Sequence, residues 1–432
     1  MNKPELLLPA GSPEVLRLAV RYGADAVYLG GERMGLRAKA HNFAGQERRD
    51  SIRFAKEAGV RIYVTVNAFA HNEDLSGLAD YLLELRDEGA DALIVSDPGV
   101  FRLARKTVPE LPLHISTQAN STNWETMCFW HDLGAKRIVA ARELTLSELR
   151  EIRERVPSDL ELEVFVHGAM CMSYSGRCLL SNVLTGQDAN RGSCTHPCRW
   201  KYALMEETRP GEYFPIEEDS RGTYILNSKD LCMIDHLPDL LSAGVDSLKI
   251  EGRMKNGLYI AVAARAYRRA IDLAVSTPEA YEREKEELRR EVERCTTRQF
   301  STGFFYGRPG SEAQIPDEST YHRNYTYMGF AQAVTPDGAV RMTQKNRFFV
   351  GERWELLKPD GTNVPAVVTH IVNEEGIEQE SAPHAKQPLL VRLAFPEGGE
   401  AECFDVMRRE REVSDRDDRR DQSNLRPEDQ TS

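Results

Sequence analysis

Five times in the first 250 residues, a helical pattern ends at a glycine and a short β-branched run begins. Gly23-Ala24-Asp25 leads into AVYLGG, Gly59-Val60 into RIYVTVN and Gly89-Ala90-Asp91 into ALIVSD. Gly134-Ala135 leads into KRIVAAR, and Gly244-Val245-Asp246 into SLKIEG. Glycine is favoured just past a helix end because it takes positive φ at little cost. The runs that follow are apolar at nearly every position, as in parallel strands covered on both faces. Helix, short loop and strand in repetition are the signature of βα units.

Eight strands are predicted, at 5–10, 26–31, 61–67, 92–97, 111–118, 137–142, 162–168 and 247–252. Helical patterns separate them, among them 13–23, 78–89 and 145–156. Eight such units fit a TIM-type (β/α)8 barrel, usually ~250 residues long. The competing doubly wound sheet normally has fewer strands, and often a glycine-rich phosphate loop after the first. Here the first strand runs into Pro9-Ala10-Gly11-Ser12, which is no dinucleotide fingerprint. The barrel is predicted over residues 1–278, with a cysteine-rich insertion at 169–230 before a helix near 231–243. Connections of that length are uncommon and usually functional. Residues 279–324 read as a charged helix (YEREKEELRREVERC) and an aromatic, Gly/Pro-rich linker. Over 325–407 the pattern changes to short strands, with Asp-Gly turn signals at 337–338 and 360–361. A small antiparallel β-barrel domain is expected there. Residues 408–432 alternate charges with almost no apolar side chains and read as a disordered tail.

The chain has no run of ~18 uncharged apolar residues, and its start reads as a strand rather than a signal peptide. The expected compartment is cytoplasmic, which disfavours disulfides among the 8 cysteines. The net charge of −12 disfavours a broadly basic nucleic-acid binder and confines any RNA contact to a local patch.

Four cysteines, Cys171, Cys178, Cys194 and Cys198, fall within 28 residues in the spacing C-x6-C-x15-C-x3-C. Structural zinc sites usually pair C-x2–4-C twice, and only the second pair fits. Iron–sulfur clusters accept wider, irregular spacing. The surrounding Gly, Ser, Asn and Arg suit a loop that wraps an anionic group with N–H donors. Zinc and a set of buried reduced thiols stay open as alternatives. Cys232, after Asn227-Ser228-Lys229-Asp230, is an alternative fourth ligand. Cys128, Cys295 and Cys403 read as packing residues.

Barrel active sites lie at the C-terminal ends of the strands. The candidate catalytic residues there are Arg142, His167, Lys249 and Glu251, and the candidate substrate-binding residues are Arg37, Asn67, Gln118 and Arg253. Arginines at such a rim clamp carboxylates or phosphates with two parallel hydrogen bonds. Lys249 and Glu251 alternate with Ile250 and so face the same way. A pair that only satisfies itself is the structural alternative for those two. His167 reads as a general acid or base, or as a hydrogen-bond partner of the cysteine loop.

Several segments together resemble the collagenase-like peptidase family of unknown catalytic type. They are LPAGSPEVLRLAVRYGADAVYLGG, EVFVHGAMCMSYSGRCLLSNVLTGQDANRGSCTHPCRWKY, YILNSKDL and SLKIEGRMKN. The likeness runs from about residue 5 to 310, and the small β domain is similar to the family's usual C-terminal domain. The Cys-Arg-Trp ending of the cluster segment is most similar to the bacterial tRNA hydroxylation branch. That branch forms 5-hydroxyuridine at the tRNA wobble position by an oxygen-independent route linked to prephenate. The resemblance implies a 4Fe-4S cluster on Cys171, Cys178, Cys194 and Cys198, a small carboxylate substrate such as prephenate, and tRNA as partner. A flipped uridine would enter the barrel mouth. The RNA patch is expected around Arg191, Arg199 and Lys201, with Trp200, Tyr202, Phe304, Phe305 and Tyr306 available for base stacking. Two other readings stand beside this one. The first is a peptidase, the name the family carries, although no nucleophile elbow and no H-E-x-x-H is present. The second is a non-catalytic iron–sulfur scaffold of a modification complex.

Overall fold

The structure, a computed structural model, describes residues 3–36, 41–171, 173–200, 203–204, 214–215, 227–295, 298–309, 314–315, 324–384 and 386–411. The chain divides into two compact units, residues 1–292 with 297–321, and 293–296 with 322–432.

The first unit is a closed parallel barrel. Its strands are β1 (Glu5–Ala10), β2 (Ala26–Gly30), β3 (Arg61–Val66), β4 (Ala92–Val95), β5 (Leu113–Ile115), β6 (Arg137–Val139), β7 (Glu161–Ala169) and β8 (Ser247–Ile250). Each pairs in parallel with the next, and β8 pairs with both β7 and β1 to close the ring. All eight predicted strands are present. The five glycines that preceded them have φ between 72° and 108°, as a helix end that turns into a strand requires. The helices begin close behind the strands and are capped there by short polar side chains. Ser12 accepts from the Val15 amide at the start of α1 (Pro13–Arg21), and Asp97 from Gly99 and Val100 at the start of α2 (Pro98–Thr107). Thr145 and Glu148 form a capping box on the helix Leu146–Arg155. Short βα loops of this kind hold the strand ends at one rim, where the candidate site lies. Among the described residues no helix is long and apolar enough to cross a membrane.

The opposite end of the barrel interior is ionic. Arg137 is 1 % exposed and reaches Glu5 (2.5 Å), Glu161 (2.6 Å) and Glu163 (3.0 Å). Tyr63 and Ser247 donate to Glu5 at 2.7 and 3.0 Å. Burial alone would raise the Glu5 carboxyl, but Arg137 and Arg61 hold it below the usual carboxylate range. Beside this network lies an apolar layer of Leu7, Ala26, Tyr28, Tyr63, Ala92 and Ile94.

Two expectations for the chain after β7 are corrected. The insertion ends in a short strand, Asp230–Cys232, antiparallel to the end of β7, with Asp230 opposite Ala169 and Cys232 opposite His167. The helix expected near 231–243 is therefore only Leu237–Ser242. The segment 298–310, read as a linker, contributes Phe300–Ser301, which pairs in parallel with Asp230–Cys232. The reason is the length of β7. Its nine residues overhang the barrel, and backbone groups beyond the ring need partners. The charged helix after the barrel is present as Pro278–Glu293.

The second unit is an antiparallel sheet, as the change of pattern predicted. Its main strands are β9 (Tyr325–Phe330), β10 (Val340–Thr343), β11 (Arg353–Leu357), β12 (Asn363–Val372), β13 (Pro388–Ala394) and β14 (Val406–Glu410). In space β14 lies between β9 and β11, and β12 and β13 connect onward to β10. The strands enclose a core that includes Met328, Met342, Phe348, Trp354, Leu356, Val368, Val391 and Met407. Strand β14 crosses the boundary at which a charged tail was expected to begin. Arg408 lies opposite Glu355, is fully buried and pairs with it at 2.6 Å, its guanidinium over the Tyr325 ring. A charge with a cross-strand partner behaves as a core residue. The rest of the predicted tail, 412–432, lies outside the described residues.

Candidate active site at the barrel mouth

The rim formed by the C-terminal strand ends is polar and partly enclosed. At the end of β3, Asn67 donates to the Ser116 hydroxyl at 3.2 Å, and the Ser96 hydroxyl donates to the Asn67 carbonyl at 3.1 Å. Gln118 follows Ser116 in a short 3-10 turn, Thr117–Ala119. After β6, Arg142 donates to the Ala169 carbonyl (3.1 Å), lies over the Phe165 ring (4.0 Å) and faces Glu251 at 3.8 Å. After β8, the buried Arg253 donates to the Asn42 side chain (3.0 Å) and the Thr65 hydroxyl (3.4 Å). Its guanidinium lies against Gly30, where any Cβ would overlap it. The structure thus gathers Asn67, Gln118, Arg142, Glu251 and Arg253 at one rim. Arg37 lies outside the described residues.

Lys249 and His167 are placed elsewhere. Lys249 is 4 % exposed inside the barrel, with its ammonium 2.7 Å from Glu163 and over the Tyr28 ring. It pairs with Glu163, which stands opposite Ser247 on the neighbouring strand two residues back, rather than with Glu251. His167 packs against Tyr259 and Tyr267 of the helix Gly257–Ser276 and against Phe300. Burial, with the Lys255 charge adding to it, pushes its pKa down to about 3. It is therefore neutral at pH 7 and cannot donate a proton as an acid there. Cys232 sits beside it, with its thiol pushed up to about 12 by burial and 3.8 Å from the Tyr267 hydroxyl.

The cysteine segment lies across the mouth. Gly176 has φ +73°, and a Cβ there would meet the Gln118 carbonyl and the Phe69 ring. Gly192 has φ +96°, and a Cβ there would meet the backbone of Gly35 and Leu36. Both glycines permit an approach of backbone to rim that no other residue allows. The Phe69 amide donates to the Asn190 carbonyl at 3.3 Å, and Arg191 pairs with Asp74 at 3.1 Å. Arg191, expected in an RNA patch, is thus engaged in holding the segment down. The Arg199 side chain, Lys201 and Tyr202 lie outside the described residues.

Within the segment, Asn190 donates to the Cys178 carbonyl at 2.9 Å, and the Ser181 hydroxyl accepts from the Thr195 amide at 3.1 Å. These bonds tie residues 178–181 to residues 190–195. Cys171 is exposed, and Cys178, Cys194 and Cys198 are half-buried. Among the described residues no three His, Cys, Asp or Glu side chains converge as a site for one metal ion. Four soft thiols on one segment suit, by donor chemistry, an iron–sulfur cluster, a body larger than a single ion.

Sequence reasoning placed Glu143 and Asn120 at the strand ends but missed Ser121, Thr122 and Tyr174. Glu143 follows Arg142, and burial raises its carboxyl above the usual range. Its Oε2 is buried without a hydrogen-bond partner, as are Asn67 Oδ1, Gln118 Oε1, Asn120 Oδ1, Ser121 Oγ and Arg142 Nε. Buried polar atoms are rarely left so, and several at one rim mark a place where water or a ligand completes them. An open cleft of about 580 Å3 lies here, lined by Asn120, Thr122, Ser173, Tyr174 and Arg177. The run of polar residues after strand five was the available signal; nothing in the pattern showed which part of the insertion would cover it.

Comparison with known proteins gives a consistent result. A family model described as peptidase family U32 matches residues 11–315, and one described as the peptidase family U32 C-terminal domain matches residues 323–408. The chain is 41 % identical over 393 residues to tRNA hydroxylation protein P1 of Bacillus subtilis, covering 91 % of this chain and 92 % of that one. It is 38 % identical over 428 residues to tRNA hydroxylation protein P of Escherichia coli, covering 89 % and 92 %. A protein of Methanocaldococcus jannaschii named as an uncharacterized protease is 41 % identical over 305 residues, covering 70 % of this chain and 73 % of that one.

Proposed function

This chain belongs to peptidase family U32, and from that membership and the mouth it carries we propose that it is a tRNA-modifying enzyme that hydroxylates the wobble uridine to 5-hydroxyuridine. One observation carries the reading. The relatives named for tRNA hydroxylation align over about nine-tenths of both chains, and the remainder is shorter than either unit of this fold. The rim is suited to such a task. It is polar, it lies under a segment of four cysteines, and it has buried acceptors that a base can complete.

The route we propose is oxygen-independent, with a small carboxylate, prephenate, as the hydroxyl donor. Arg142 would receive that carboxylate, since its Nε has no partner and Glu251 is held only at 3.8 Å. Glu143, whose carboxyl burial raises, is a group at the rim suited to hold or pass a proton. Arg253, fixed by Asn42 and Thr65, keeps the wall of the mouth in place. Cys171, Cys178, Cys194 and Cys198 would hold a 4Fe-4S cluster, which supplies one-electron chemistry when bound.

The test is nucleoside mass spectrometry of tRNA from a deletion strain that has no redundant pathway. Loss of 5-hydroxyuridine-type nucleosides, restored by the wild-type chain and restored poorly by Arg142→Ala, is the expected result. Unchanged nucleosides would eliminate the proposal. Gelatin cleavage that survives purification and vanishes on mutation of the rim would favour a peptidase instead.

A further inference from the structure

We propose that the cysteine segment is a cover seated on the barrel mouth by one ionic latch, Arg191 with Asp74, and released as a body when that pair is broken. The inference is independent of the tRNA reading above, since it concerns access to the mouth and not the molecule that enters. Arg191 donates to Asp74 Oδ1 at 3.4 Å, and its other terminal nitrogen lies 3.1 Å from Oδ2. That nitrogen makes no aligned hydrogen bond, so the pair is held chiefly by charge. Glu73 adds a second carboxylate at 3.6 Å. Asp74 is itself fixed, because the His71 amide donates to its Oδ2 at 2.8 Å. Arg33 steadies the same turn, Asn72–Leu75, by donating to the Ser76 carbonyl at 2.7 Å. One residue before the latch, the Asn190 carbonyl accepts from the Phe69 amide, and the Asn190 side chain donates to the Cys178 carbonyl. Arg191 thus grips the loop after β3 while Asn190 grips the turn that carries Cys178.

Little else welds this stretch to the rim. Of residues 173–195 only Ser181 and Gly192 are buried. Tyr174, Leu179, Val183 and Leu184 are between 46 % and 76 % exposed. No large apolar side chain of the stretch is buried, so hydrophobic burial contributes little to its seat. Gly176 and Gly192 let backbone rest on the rim, a contact that adds little beyond dispersion. Internally, by contrast, the stretch is laced together. The Ser193 amide donates to the Asp188 carbonyl at 2.9 Å, and the Thr195 amide to the Ser181 hydroxyl at 3.1 Å. A part tied within itself and held outside by charge opens as a unit, at far less cost than global unfolding. Its root stays fixed, since Arg142 holds the Ala169 carbonyl and Ala169 pairs with Asp230. The cleft has one wall on each part: Asn120 and Thr122 belong to the barrel, and Ser173, Tyr174 and Arg177 to the segment. The latch therefore sets the width of the cleft. It also sets the reach of Arg177, which is exposed and forms no ion pair among the described residues.

The Phe69 amide reports the seat directly, because its hydrogen bond crosses from barrel to segment, whereas the Ser193 amide bonds inside the segment. The Arg191 and Asp74 side chains are 30 % and 25 % exposed, so salt reaches the pair. The experiment follows hydrogen exchange of both amides in the full chain by NMR, at low salt and at about 1 M sodium chloride. Exchange at Phe69 is expected to rise about two- to fivefold in high salt, the range for a solvent-accessible ion pair, with Ser193 unchanged. Asp74→Asn, which keeps an acceptor for the His71 amide, should show the faster exchange already at low salt and no further response to salt. Arg191→Met should behave in the same way. Asp337→Asn, which breaks an exposed pair with Arg392 in the second unit, should leave Phe69 as in the wild type. A wild-type Phe69 rate in both latch variants, or a salt response that persists in them, overturns the latch. A Ser193 rate that rises together with that of Phe69 shows the segment unfolding in place, and overturns its release as a body.

Discussion

His167 is neutral because charging an imidazole inside three aromatic rings has no compensating partner. The consequence is a pH dependence of stability with a definite sign. The unfolded chain binds a proton on this histidine near ~6.5, and the folded chain only near the lower value of about 3. Between these limits the unfolded state holds more protons, so stability falls as pH falls, by at most about 1.4 kcal/mol per pH unit. The drop in thermal midpoint from pH 7 to pH 5 should therefore be smaller in His167→Phe than in the wild type. An equal drop in both would assign the acid sensitivity to other groups. Single residues are also where the sequence was least informative. Lys249 was visible as a barrel lysine, but Glu163, its partner, begins as one apolar-strand residue among many. The choice of Glu163 over Glu251 depends on which strand lies beside β8 and in what register, and no spacing reveals either. Glu143 and Asn120 are legible as polar residues at strand ends, but their burial and the left-handed backbone of Asn120 are not written in residue type.

Strands and their caps were the most legible level, because their pattern is local. Glycine stops, β-branched runs and capping residues all recur before any long-range contact is known. What the pattern hides is how elements lock together. The turn after β8 is an example. The Arg253 carbonyl lies where a Cβ on Gly11 would be, and the Arg253 guanidinium lies where a Cβ on Gly30 would be. A guanidinium can be pushed aside at the loss of its hydrogen bonds, whereas a backbone carbonyl moves only with its chain. Gly11→Ala should therefore destabilise by about 1–3 kcal/mol, the usual range for overpacking. Gly30→Ala should cost less stability and more activity. Urea unfolding paired with a modification assay separates the two. The opposite order would mean that β8 yields more easily than its side chain.

At the scale of the whole molecule, length and the change from βα units to short strands divided the chain correctly, since the two patterns have different periods. The core of the second unit is built from its own residues, with Trp354 buried edge-on against Phe348 at 4.7 Å between ring centres. A fragment of residues 322–432 should fold alone and show a cooperative loss of near-ultraviolet dichroism from Trp354 on heating. A featureless near-ultraviolet spectrum for the fragment would show that its core needs the barrel. The net charge, by contrast, said little about partners, because it averages over a surface on which one uncommitted arginine at a cleft counts for more than the sum. The antiparallel pairing of Asp230 with Ala169 bears on how such a molecule can be altered. The chain leaves the barrel and returns to it at neighbouring positions, so the exit and entry of the insertion are already joined. A tight turn spliced between them would preserve the ring of strands. The same scaffold can therefore take a different insertion at this point in a single event, without renegotiating the barrel beneath it.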